Sequence, residues 1–456
     1  MRVVRRVSIL TAATLWLAAA GASAQAAVGA IAYDSFRLAN GLQVLYAEKH
    51  STPVVTVDLW YRVGARNERP KLSGFAHLFE HMMFQGSAHV GKSEHFQYVE
   101  RAGGDQNGST HDDYTNYFET LPSNRLNLAL WLEADRMRSL AVTQQNLENQ
   151  RQTVEEEMRL RVDNQPYAKA FRGSLIWPYD STRCFAYAHP GIGVMEDLDS
   201  AKLADVEAFH ATYYAPNNTT LVVAGDFQPA ELKRLVTAYF SDIPSQPAPP
   251  SVTCDYTLSP GLAVRTVVDS HATLPAVIRV YRIPPAADGD TPALDLLNSI
   301  LGQGESSRLN VTVVRRDTAA LSASSFSVNE RRGPGSLLIL GIANRGVSAG
   351  HLDSLLIGQI DSIRRDGVTA DELSRAQNQY RAGVIQQRET TFGIAEALNY
   401  YNLLFPSVAD MNTDPQRYLA VTGDDIRRVA AKYLDPANAT VVTVLPPSKP
   451  QAGGAQ

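Results

Sequence analysis

The chain has 456 residues, 44% apolar and 20% charged, with 30 Gly and 24 Pro. That composition excludes a disordered or low-complexity protein and allows roughly two to four domains with proper cores. Its formal charge is −5, and it becomes three units more negative if Arg2, Arg5 and Arg6 leave with the first 24 residues, so no basic patch invites nucleic acid or a membrane surface.

Residues 1–24 read as a signal peptide: Arg2, Arg5 and Arg6 open it, Val7 to Ala20 are apolar, and Ala22-Ser23-Ala24 offers a cleavage site before Gln25. The apolar stretch is short for a span of about 20 residues. A mature protein in a bacterial periplasm, with no membrane association, is expected. Cys184 and Cys254 are too few for a disulfide scaffold or a structural zinc cluster, so any metal is held by His and carboxylate. In an oxidising compartment the two can pair or remain free thiols, and the sequence leaves both open.

A first domain is predicted over 25–242. Leu42, Val44 and Tyr46, then Val55, Val57, Leu59, Tyr61 and Val63, alternate with their neighbours and predict strands with one buried face. Helices are predicted over 126–140 and 144–162. Pro244, Pro247, Pro249, Pro250 and Pro260 mark 243–261 as an extended linker. The second domain, 262–445, opens with a strand through Val277, Tyr281 and Ile283 and a hairpin turning at Arg332-Gly333-Pro334-Gly335. A helix near 351–365 runs through Leu352, Leu355, Leu356 and Ile363, and Thr369 with Glu372 forms a capping box for the next. Residues 446–456 are expected to be a disordered tail. At an offset of 220, Asp205, Tyr213, Pro216, Asn218, Thr220 and Val222 fall on Asp425, Tyr433, Pro436, Asn438, Thr440 and Val442. Six coincidences at one offset indicate duplication. The expected fold is α+β: two duplicated domains, each with helices packed on a largely antiparallel sheet.

The chemistry concentrates at His77-Leu78-Phe79-Glu80-His81. At about 100° per residue, His77, Glu80 and His81 share one helix face. Two imidazoles one turn apart suit tetrahedral Zn²⁺, and a carboxylate beside them can take a proton from water on the metal. This residue order is the inverzincin form of the zinc-protease helix. A surface helix with two His and an acid is the plainer alternative, but Phe75, Ala76, Leu78, Phe79, Met82, Met83 and Phe84 make the surroundings apolar. Burial there costs on the order of several kcal/mol unless something pairs with the polar groups. A third ligand must come from elsewhere, and Glu155-Glu156-Glu157 on the helix over 144–162 is the candidate source. Periodicity against Leu147, Val154 and Met158 turns Glu156 to solvent and leaves Glu155 and Glu157 tied.

HLFEH, followed by Glu157-Met158 in VEEEMR, resembles the pitrilysin/insulinase family of zinc peptidases. Gly103 to Pro122, GGDQNGSTHDDYTNYFETLP, is similar to that family's G-G-x-x-N-A-x-T stretch. Length, linker and duplication match two-domain members such as the mitochondrial processing peptidase. The resemblance implies one Zn²⁺ per chain held by His77, His81 and Glu157, with Glu80 as general base. It also implies an edge strand over Asn107 to His111, with Asn107, Gly108, Ser109 and Thr110 as substrate contacts, to which peptides or small unfolded polypeptides add. The alternative is a non-catalytic structural or assembly subunit, or a peptide-capture module, of the same fold.

Three departures stand out. Asp295, Asn298 and Ser299 fall opposite His77, Glu80 and His81, and Gly383 opposite Glu157, so the second half carries no metal site. Gln150 stands where many relatives carry a Glu behind the ligands. Arg315 or Arg316 can serve as the family's substrate-contacting Arg, but the Tyr expected seven residues later is Leu321 or Ser322. A dimer is implied, one form being a heterodimer in which a paralogous subunit supplies the Arg/Tyr pair.

Overall fold

The computed structural model describes residues 28–447 except Ser259. The predicted signal peptide and the tail from residue 448 lie outside the described residues. The first half contains β1 (Asp34–Arg37), β2 (Gln43–Glu48), β3 (Val54–Tyr61), α1 (Phe75–Met82), α2 (Glu94–Arg101), β4 (Asp105–Thr110) and β5 (Thr115–Pro122). It continues through α3 (Leu126–Ser139), α4 (Gln144–Met158), α5 (Ala168–Ile176), α6 (Met195–Ser200), α7 (Leu203–Tyr213), β6 (Thr219–Gly225) and α8 (Pro229–Phe240). The second half contains β7 (Ala263–Val268), β8 (Ala276–Ile283), α9 (Thr291–Gly302), β9 (Ala320–Val328) and β10 (Gly335–Ala343). It ends with α10 (Ala349–Asp366), α11 (Ala370–Glu389), α12 (Thr391–Leu404), α13 (Asp410–Leu419), α14 (Gly423–Tyr433) and β11 (Thr440–Leu445).

Two sheets result, ordered β1-β2-β6-β3-β5-β4 and β7-β11-β8-β10-β9. Only β2 with β6 and β7 with β11 are parallel; the other neighbours are antiparallel. β6 and β11 occupy equivalent places, each between a parallel and an antiparallel neighbour, and Thr220 and Thr440 begin the parallel pairing. The α+β class and the duplication are thus visible in the strand order itself. The capping box also forms: Glu372 N donates to Thr369 Oγ1, and Thr369 N to the Glu372 carboxylate.

β3 departs from the half-buried strand that alternation predicts. Thr56, Asp58 and Trp60, on the face expected to meet water, are at most 2% exposed. The cover comes from the other half of the chain. Helix α12 lays Ile394, Ala395, Ala397 and Leu398 over Leu45, Ala47, Val222 and Ala224. Polar groups pair across the contact: Thr56 Oγ1 meets Thr391 Oγ1 at 2.8 Å, and Asn399 Nδ2 donates to Asp58 Oδ2 at 2.9 Å. The second sheet is covered reciprocally. Ala170 and Phe171 of α5, with Tyr167 and Trp177 flanking it, pack on Ile278, Val280, Leu338 and Val442. Such exchange is invisible to local periodicity, which reads only the residues of the strand itself.

Residues 244–257 run without regular secondary structure. Cys184 and Cys254 form a disulfide there, beside an Arg183–Asp255 ion pair of 2.6 Å, which resolves the pairing question in favour of a bridge. A bridge closing a loop of this length constrains the unfolded chain by about 4 kcal/mol in the chain-entropy view. Replacing both cysteines by serine is expected to lower the urea midpoint by the equivalent of about 2–4 kcal/mol; an unchanged midpoint would show that the bridge adds no stability.

Candidate metal centre

Helix α1 divides sharply. Phe75, Ala76, Leu78, Phe79 and Met82 enter the core, and His77, Glu80 and His81 occupy the remaining face. Its first turn has no side-chain cap of its own. Instead Glu68, buried upstream, accepts from the backbone N–H groups of Gly74 and Ala76, both at 2.8 Å, and from His189 Nε2 at 3.0 Å. The carboxylate thereby fills the role of the missing cap. Gly74 has φ 87°, and a Cβ there would stand 2.7 Å from Gly193 Cα, so the entry to the helix admits only glycine.

Helix α4 brings the third group. Glu157 Oε2 lies 3.7 Å from His77 Nε2 and 3.4 Å from His81 Nε2. Two bonds of about 2.1 Å at a tetrahedral angle set their donors about 3.4 Å apart, so both distances suit a shared zinc ion, and all three ligand atoms lie within 4.8 Å of one another. Burial, with His81 adding to it, pushes His77 down to about 4, and burial also lowers His81. Both imidazoles are therefore neutral at pH 7, the form that binds metal. The two alternatives on α4 point elsewhere: Glu155 turns to Arg159 and Asp199, and Glu156, more than half exposed, to Arg159.

Glu80 sits beside this group and accepts from Thr110 Oγ1 at 2.7 Å. Burial raises its carboxyl to about 7 against the pull of that hydrogen bond. Thr110 ends β4, the terminal strand of its sheet, paired only with β5. At Gly108 the strand comes so near α1 that a Cβ would lie 3.3 Å from Glu80 Cγ and 3.1 Å from Tyr117. Asn107 and Ser109 line the same cavity of about 600 Å³, with Phe84, Phe96 and Gln150. Ser109 donates to Asn116 Oδ1 at 2.5 Å, and Asn107 accepts from Gly108 N at 2.9 Å. Gln150, 7% exposed on α4, lines the cavity beside His81.

Arg315 is not brought to this cavity among the described residues. It lies exposed on a wide helical turn, Asn310–Arg316, and pairs with Glu305 at 2.7 Å. Leu321 is likewise exposed, on β9.

Besides the Glu68 and His189 cap, two features escaped the sequence reading. Arg161, on the wide turn Arg159–Asp163 that follows α4 where an unbroken helix was expected, holds Glu157 Oε1 at 2.7 Å and leaves Oε2 to the imidazoles. Its place one turn beyond Glu157 was the available signal. The second is a fully buried cluster behind the cavity. His95 Nε2 meets Glu119 at 2.8 Å, and Arg136 forks onto Glu133 while stacking over Tyr117 and Phe84. Burial raises both carboxyls, with Arg136 opposing the rise. Arg136 already supplies the cation, so these groups need no metal. Arg136→Leu strands two buried acids and is expected to cost about 3–5 kcal/mol in thermal or urea unfolding; a loss below about 1 kcal/mol would show the acids to be neutral without it.

The same architecture occurs in known proteins. Residues 43–175 match the sequence model of the insulinase family of peptidases (M16), and residues 200–380 match that of the M16 inactive domain. The zinc protease PqqE of Helicobacter pylori is 29% identical over 447 residues, covering 96% of this chain and 98% of that protein. The crystal structure of a protease from Helicobacter pylori superposes with a TM-score of 0.87 at 28% identity, covering 91% of this chain and all of that one. The periplasmic protease PqqL from Escherichia coli shares the fold at a TM-score of 0.72 and 19% identity, covering 92% of this chain and 48% of that one. With both halves matched, and with duplicated sheets of the same fold, this chain belongs to the insulinase family of peptidases as a two-domain member.

Proposed function

We propose that the chain is a zinc-dependent metalloendopeptidase that hydrolyses peptides or small unfolded polypeptides. The observation that carries this reading is the convergence of two neutral Nε2 atoms and one carboxylate oxygen beside Glu80 and a free strand edge. His77, His81 and Glu157 would hold one zinc ion per chain, and zinc so held supplies Lewis acidity towards water and a peptide carbonyl. Glu80 takes a proton from the attacking water and passes it to the leaving amine nitrogen, with Thr110 keeping its carboxyl oriented. A peptide pairs with the outer edge of β4, where Gly108 keeps the strand close to Glu80 and Asn107 and Ser109 border its side chains. Phe84 and Phe96 form the apolar wall.

An exported, periplasmic protein agrees with the disulfide, which persists in an oxidising compartment. The chain would act in a dimer, and in its heterodimeric form a paralogous subunit would supply the Arg/Tyr pair, because Arg315 is engaged by Glu305 and Leu321 is no phenol. Glu80→Gln is expected to retain one zinc per chain by metal analysis while cleavage of a quenched peptide falls by about 10²–10⁴-fold. A chelator should abolish cleavage, and added zinc should restore it. Unchanged cleavage in Glu80→Gln, or full cleavage in chelator, would overturn the assignment.

A further inference from the structure

The duplication sets α9, β9 and α11 in the second half where α1, β4 and α4 stand in the first. Each trio borders a cavity at the equivalent position. The first holds the candidate metal centre. The second, about 530 Å³ and also bordered by α12 and α13, has lost the imidazoles but not the space.

Its lining has one chemical character. Asp295 on α9 and Glu330 after β9 supply two carboxyls, Tyr380, Tyr400 and Tyr418 supply three phenols, and no Lys, Arg or His faces it among the described residues. Asp295 is held firmly: Tyr418 OH donates to its Oδ2 at 2.7 Å, and Asn329 and Ser327 donate to Oδ1 at 3.1 and 3.3 Å. The rings of Tyr380 and Tyr418 stack 3.7 Å apart. Against this fixed frame several acceptors are unused. Glu330 makes no hydrogen bond or ion pair among the described residues, nor do the hydroxyls of Tyr380 and Tyr400. A concave site of carboxylates, spare oxygen acceptors and aromatic rings is complementary to a donor-rich cation, which carboxylates neutralise and π-faces attract.

We propose that this second-half cavity binds an alkylguanidinium or alkylammonium group, as carried by an arginine or lysine side chain. The inference rests on the duplicated cavity and its lining, not on the zinc reaction, so its test needs no turnover.

Binding of N-acetyl-arginine methylamide, N-acetyl-lysine methylamide and the uncharged N-acetyl-norleucine methylamide to the full chain, measured by calorimetry with and without chelator, tests it. At least one cationic probe should bind tenfold or more tightly than the norleucine probe, equally with and without chelator. Whichever binds better identifies the cation. Glu330→Gln, at an unpaired position, should weaken that binding tenfold or more, and Tyr400→Phe, which keeps the ring, should retain most of it. Equal affinity for the norleucine probe, an effect of Glu330→Gln below twofold, or loss of binding only when zinc is present would each overturn the proposal. The last outcome would mean that the cation occupies the first-half cavity. Failure here leaves the peptidase reading intact, and a failed peptidase assay leaves this one intact.

Discussion

Everything at the candidate centre depends on one short helix that buries one face in the core and turns the other to a cavity. The apolar face of α1 is spent in the core, and its polar face is met by groups from two other elements. Glu157 from α4 and Thr110 from β4 are those groups, and Glu68 fixes where the helix begins. Three polar side chains in an apolar setting are costly in isolation. Brought together with a carboxylate oxygen at ligand spacing, they become a site. The backbone is committed to the same end, with glycine required at Gly74 for the turn and a close approach of strand to helix at Gly108.

The second half shows what the same frame becomes without that chemistry. Asp295 takes the position of the first imidazole and is satisfied by Tyr418, Asn329 and Ser327. No ion is needed to stabilise the helix there. The fold thus tolerates two solutions for one buried polar patch, and only the first converges nitrogen and carboxylate on a single point.

Legibility from sequence followed the range of the interactions. The face of α1 was readable because three groups within five residues obey one helical period. The capping box at Thr369 was readable for the same reason. The choice of Glu157 over Glu155 was not: both border the apolar stripe, and only the family resemblance separated them before the geometry did. Glu68 and His189 could not be found, since the first acts across a loop and the second from more than a hundred residues away. The buried outer face of β3 was misread because alternation assumes solvent where α12 in fact lies. The bridge between Cys184 and Cys254 was undecidable for the same physical reason, as two isolated thiols carry no local signal of proximity.

The reciprocal cover of the sheets has a further meaning. Each half lends a helix to its counterpart and leaves its own sheet bare where that counterpart is removed. Two separate copies of one such half, trading that helix across a twofold axis, would form a closed, isologous pair of the kind that domain swapping produces. The present chain has the form of that pair written as one polypeptide, in which covalent continuity relieves the two copies of having to find each other.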